Sequence, residues 1–240
     1  MLSINNLTIM YEDKIIVSNF NIKIEKGEIV SIVGESGSGK TSILRSILKL
    51  LPISAKIVNA DIRYKGQSLI DISTEELNKI RGNNIALLFQ DSGLSINPIR
   101  KIGNQFIQYI RVHKQISKKE AEKLAMDQLD KMNLDAKHVM KTYIYNLSGG
   151  MKQRVGLAFA MSLDPDVLLL DEPTSALDKE TQNLVIKELI RVKENKAILM
   201  ITHNIWLALE VSDRIIILKE GQQMDNESDY AKQLLRGGIR

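Results

Sequence analysis

The run GESGSGKT, Gly34 to Thr41, sets four residues between two glycines and follows the second with Lys-Thr. Glycines leave backbone amides bare, so an anion can approach them, and the lysine and hydroxyl come next at the head of a helix. An apolar strand, EIVSIVG at 28–34, precedes the loop, and a helical run, TSILRSILKLL, follows it. The amides of Gly34, Glu35, Ser36, Gly37, Ser38 and Gly39 are therefore expected to wrap a nucleotide's phosphates, with Ser42 next in the helix. Lys40 is expected to reach the β- and γ-oxygens, and the Thr41 hydroxyl to ligate Mg²⁺. The competing reading, a flexible Gly/Ser linker, does not suit either flank.

A second candidate is VLLLDEP at 167–173, a buried strand ending in two carboxylates. Adjacent residues on a strand point to opposite sides, so the two acids cannot share one task. Asp171 is assigned to the Mg²⁺ shell and Glu172 to polarising an attacking water as general base. Beside a phosphate loop, this outweighs the reading of two surface acids at a strand end.

The third candidate, LSGGMKQRV at 147–155, places two glycines after a serine where a helix begins. It reads either as a turn leading into a helix or as a second anion site at a helix N-terminus. One chain has no need of two phosphate cradles for one nucleotide. The simplest resolution is that Ser148, Gly149 and Gly150 close over a nucleotide held by a different subunit.

These residues need a scaffold. Short strands are expected at Ile4–Tyr11, Phe20–Ile24 and 28–34, with a tight turn at 25–28 and Pro52 stopping the first helix. Ser73 with Glu76 forms a capping box ahead of the strand IALLF, Ile85–Phe89. From Asp91 to Asp164 the pattern is helical, and Ser117 with Glu120 caps a helix whose Leu124, Leu129 and Met132 share an apolar face. Strands return at 167–171, 197–202 and 214–219. The expected fold is α/β: a P-loop NTPase core with a mostly parallel sheet, an N-terminal antiparallel β subdomain and an inserted α-helical subdomain. One domain is expected, with its core in residues 1–90 and 161–240 and the helical subdomain in 91–160.

A chain of 240 residues holds one such unit and not two enzymes. No segment approaches the roughly 18 apolar residues of a membrane span, and no secretory leader is visible at the N-terminus. Cysteine is absent, which removes disulfides and thiolate metal sites. A net charge of +4 is small against 33 basic and 29 acidic residues and does not call for nucleic acid.

With the loop, the Asp-Glu strand and LSGGM come Gln90 after IALLF, SALD at 175–178 and ITH ending in His203. Together and in this order they resemble the nucleotide-binding subunit of an ABC transporter over essentially the whole chain. The resemblance implies ATP and Mg²⁺ as cofactors and a second, usually non-identical ATPase subunit, with two ATP molecules sandwiched between the pair. It also implies two transmembrane permeases, an extracellular solute-binding protein and a peripheral place on the cytoplasmic face of the cell membrane. Gln90 resembles the residue that senses Mg²⁺ and the γ-phosphate, His203 the switch histidine, Asp178 the residue that communicates across the dimer, and Tyr11 the aromatic that stacks on adenine. Two departures stand out: Asn204 replaces the usual acid after the histidine, and Thr41 stands where serine is commoner.

FQDSGLSINPI at 89–99 resembles the peptide and nickel uptake branch, with Ser92 in place of a proline. Tyr230, Leu234 and Leu235 match the approach to that branch's C-terminal extension, but the sequence ends at Arg240 without the extension. The balance favours the nickel or metal-chelate members. An exporter subunit and a soluble, non-transport cassette are the alternatives.

Overall fold

The computed structural model describes residues 1–90, 93, 95–225 and 228–237. Asp91, Ser92 and Leu94 of the branch-specific segment, and Arg240, lie outside the described residues. In chain order the elements begin with β1 (Leu2–Tyr11), β2 (Lys14–Ile24), β3 (Ile29–Val33), α1 (Lys40–Ile47), β4 (Ala55–Tyr64), β5 (Gln67–Ser68) and α2 (Thr74–Ile80). There follow β6 (Ile85–Leu88), α3 (Ile102–His113), α4 (Lys118–Lys131), α5 (Ala136–Lys141), a 3₁₀ turn (Ile144–Asn146) and α6 (Gly149–Met161). The chain continues through β7 (Val167–Asp171), α7 (Lys179–Lys193), β8 (Ala197–Ile201), α8 (Ile205–Val211), β9 (Arg214–Lys219), β10 (Gln222–Met224) and α9 (Asp229–Gly237). Two compact units result, one of residues 1–78 with 193–240 and one of residues 79–192.

In the first unit β1 pairs antiparallel with β2 and β4, so Ile4 lies opposite Ile22 on one side and Ile62 on the other, all buried. β2 starts well before Phe20, because its exposed Ile15 hides the alternation that would mark it as a half-buried strand. The same unit holds β3, parallel to both β8 and β9, with β10 antiparallel on β9. Every residue of β3 and β8 is buried, as in a parallel sheet covered on both faces. α1 ends at Ile47, ahead of Pro52. Lys49 takes a left-handed φ of 51°, and the Leu50 N–H returns to the Arg45 carbonyl at 2.9 Å, so a Schellman-type cap closes the helix.

The second unit carries the parallel pair β6 and β7, from Ile85 opposite Val167 to Leu88 opposite Leu170. Its helices pack around Phe106, fully buried with its ring stacked 3.9 Å from that of Phe159. α4 has both bonds of the Ser117–Glu120 capping box. Its buried face is Ala121, Ala125, Gln128 and Leu129, continued by Met132, and Leu124 stays half-buried. The Arg154 guanidinium on α6 donates to the carbonyls of Met132 and Asn133 at 3.1 and 2.8 Å, satisfying acceptors where α4 ends.

Candidate active site

In the first unit the loop 34–39 joins the buried end of β3 to α1. Gly39 has φ 97°, and a Cβ there would stand 2.9 Å from the Ile16 carbonyl oxygen and 2.7 Å from a Val17 methyl, so only glycine fits. Gly37 also has positive φ, and its side faces open space. Successive amides in such a turn point into a concavity, an arrangement that suits phosphate oxygens. The Lys40 ammonium is drawn back over the loop, donating to the carbonyls of Gly34 and Glu35 at 2.9 and 2.7 Å and to the Ser38 hydroxyl at 3.2 Å. Lys40 is 8% exposed, so this charge is already desolvated where a polyphosphate would meet it. Thr41 and Ser42 are half-buried in the first turn, and the Tyr11 hydroxyl lies 3.1 Å from that of Ser42, which ties the end of β1 to the loop's helix.

His203 is exposed just beyond β8 and lines, with Glu35, Asn204, Trp206 and Tyr230, an open groove of about 550 Å³. The first unit thus brings a loop residue and the expected switch histidine to one concavity. Asn204 caps α8, its side-chain oxygen accepting the Leu207 N–H at 3.1 Å, a task the missing acid would also perform. The Tyr230 hydroxyl donates to the Glu35 carboxylate at 3.2 Å. Burial first, and then that carboxylate, push the phenol above its ordinary value.

The second unit holds the rest. Gln90 is exposed after β6, and Asp171 ends β7, buried, with the buried Glu172 following at φ 52°. Ser148 is the N-cap of α6, its hydroxyl accepting the Met151 N–H at 3.3 Å, and Gly149 and Gly150 are the first helical residues. A Cβ on Gly150 would lie 3.2 Å from the Ala176 carbonyl oxygen, so part of the demand for glycine comes from packing against the SALD segment. Asp178 begins α7, accepting the Thr181 N–H at 2.9 Å and its hydroxyl at 3.0 Å. Those two bonds hold the carboxylate below the usual aspartate value.

Two residues of the quoted motif stretch have roles that spacing did not reveal. Gln153 is 3% exposed and bonds to the backbone of Glu172 and Ala176, and Arg154 holds the end of α4. A polar pair inside a helix that otherwise buries Val155, Leu157 and Ala158 was the available signal. Among the described residues no helix is long and apolar enough to cross a membrane.

A model of the ABC transporter family matches residues 17–175. The chain is 35% identical over 230 residues to the metal-staphylopine import system ATP-binding protein CntD of Staphylococcus aureus, covering 94% of this chain and 84% of that one. It is 38% identical over 235 residues to the oligopeptide transport ATP-binding protein AppD of Bacillus subtilis, covering 94% and 71%. A solved dimer of the ATP-binding cassette MJ0796, in a post-hydrolysis state bound to ADP and Pi, superposes with a TM-score of 0.85 at 29% identity, covering 95% of this chain and 100% of that chain.

Proposed function

This chain belongs to the ABC transporter family, and from that premise we propose that it is the ATP-hydrolysing subunit of an importer for metal chelates, nickel or peptides. Support for import comes from relatives named for metal-staphylopine and oligopeptide transport, at 35% and 38% identity.

Each role falls to a named group. Amides of residues 34–39 and the Lys40 ammonium bind the β- and γ-phosphates, and Tyr11 stacks on the adenine. The hydroxyl of Thr41, the amide oxygen of Gln90 and the carboxylate of Asp171 are hard oxygen donors of the kind Mg²⁺ takes, and are the groups that would hold it. Held there, the ion would supply positive charge that offsets the charge of the phosphates. The Glu172 carboxylate takes the proton of the attacking water as its oxygen bonds the γ-phosphorus and the bond to the departing ADP oxygen breaks. His203 donates to the γ-phosphate and steadies the charge it carries.

One observation carries the two-subunit mechanism: a chain with its own phosphate loop also has a second, serine-capped helix N-terminus opening on two glycines. Ser148, Gly149 and Gly150 of one subunit close over the nucleotide held by residues 34–41 of another, probed by Asp178 across the pair. Closure depends on the charge of intact ATP, so hydrolysis releases it. The partners are a second, non-identical ATPase, two permeases and, through them, an extracellular solute-binding protein. In that assembly the chain sits at the cytoplasmic face of the cell membrane, with residues 91–160 as the helical subdomain on a core of 1–90 and 161–240.

The test is to tag the chain in its own cell, solubilise membranes in mild detergent and identify by mass spectrometry what co-purifies. Two permeases and a second ATPase are expected. Recovery only from the soluble fraction, with ribosomal or DNA-associated proteins, overturns the transporter reading.

A further inference from the structure

Glu172 stands apart from the other strained positions. Nine described residues other than glycine have positive φ, and eight of them are exposed, some at turns, such as Lys49 and Glu220, and others inside strands, such as Asn6 in β1 and Asn19 in β2. Glu172 alone is buried, at 7% exposure. A left-handed conformation is costly for a residue with a Cβ and lasts only where its surroundings over-determine it. What holds Glu172 there is therefore a question about the reaction it serves.

The answer lies on α6. The Gln153 amide uses both of its ends on the turn that follows β7. Its Nε2 donates to the Glu172 carbonyl at 2.5 Å, and its Oε1 accepts the Ala176 N–H at 3.1 Å. Ser175 adds its own N–H and hydroxyl to the same Glu172 carbonyl, at 3.4 and 3.2 Å, so the turn is closed locally as well as from the helix. The two bonds from Gln153 span 19 and 23 residues of sequence, and they cross from α6 to the two ends of the turn. The helix that carries this amide begins at Ser148, and its Gly150 packs on the carbonyl of the same Ala176.

We infer that Gln153 is a positioning residue for hydrolysis: its amide locks the turn 172–176 to α6, which fixes the direction of the Glu172 carboxylate and links it to the helix opening on Ser148, Gly149 and Gly150. The inference rests on the reading of Glu172 as the base. Buried amides so committed at both ends leave little freedom, because losing either bond strands a buried donor or acceptor. A partner's nucleotide that orders the start of α6 would be felt at Glu172 through Gln153, and a small misplacement of a base lowers the rate without weakening substrate binding.

The experiment compares Gln153→Met, which keeps the shape and loses both bonds, with Gln153→Glu, which keeps an acceptor for Ala176 and loses the donor to Glu172. Each is prepared in the full chain, assembled with the partners that co-purify with it. In Gln153→Met, kcat for ATP is expected to fall about 10- to 100-fold, with KM and the affinity for ADP within about twofold of wild type. Hydrogen exchange at the Ala176 amide should accelerate in Gln153→Met and stay slow in Gln153→Glu, which still loses kcat. An unchanged kcat in a folded variant overturns the positioning role, as does an equal loss in nucleotide affinity. If the methionine variant does not fold, kcat and exchange in the glutamate variant decide. Glu172→Gln is run alongside: wild-type hydrolysis there defeats the assignment of the base, while the exchange at Ala176 still reports whether Gln153 holds the turn.

Discussion

Replacing Gly149 and Gly150 singly by alanine separates what these glycines do for folding from what they do for chemistry. Neither has positive φ, so alanine can adopt the backbone at both positions. At Gly149 a Cβ would meet only the Ala176 Cβ at 3.6 Å, ordinary contact. Alanine there should therefore stabilise the chain by about 0.4–1 kcal/mol, through the unfolded state, and raise Tm by about 1–4 °C. At Gly150 the Cβ would stand 3.2 Å from a carbonyl oxygen and 3.3 Å from Leu177 Cδ2, so crowding offsets most of that gain and Tm should stay near wild type. Activity should move the other way. A methyl at either position holds a phosphate off the helix N-terminus, and ATP hydrolysis by the assembled complex should fall at least about tenfold, as when a donor to a charged transition state is removed. Thermal unfolding of the purified chain and steady-state hydrolysis by the complex give the two readouts. A Gly149→Ala chain that is stabilised and fully active would refute the anion role. One whose Tm drops by several degrees would refute the packing assignment.

Three further outcomes are expected. Phe106→Ala should cost about 3–5 kcal/mol, since it empties a fully buried site stacked on Phe159, and denaturant unfolding measures it. Ser117→Ala removes the hydroxyl that accepts the Glu120 N–H at the head of α4 and should cost about 1 kcal/mol in the same assay. Asp178, held below its ordinary value of 3.8 by the Thr181 N–H and hydroxyl, contributes stability that is present above that value and lost as pH falls through the lowered one. The stability gap between wild type and Asp178→Ala should accordingly be constant near neutrality and close in acid; a gap that widens in acid would contradict the sign.

The phosphate loop was legible in the sequence because its chemistry is local: glycine spacing, lysine and hydroxyl all fall within 34–41, between an apolar strand and a helix. Both capping boxes were legible for the same reason, each lying within four residues. The left-handed Lys49 that closes α1 was not, because lysine carries no preference for that conformation and the bond from Leu50 to Arg45 decides it. Gln153 was not, because its partners lie 19 and 23 residues away, and only the folded turn at Glu172 gives a glutamine on α6 something to hold. Asn204 looked like a loss of charge beside His203, whereas the structure gives it the cap of α8. The short strand β10 has too few residues to show any period.

The most direct test of an ATP-driven importer is uptake by whole cells in which this chain is wild type, deleted or Glu172→Gln, offered a radiolabelled nickel chelate and a radiolabelled oligopeptide in turn. The account predicts that wild-type cells accumulate one of the two, and that deletion and Glu172→Gln abolish it alike. Equal accumulation of both solutes in all three strains would contradict it.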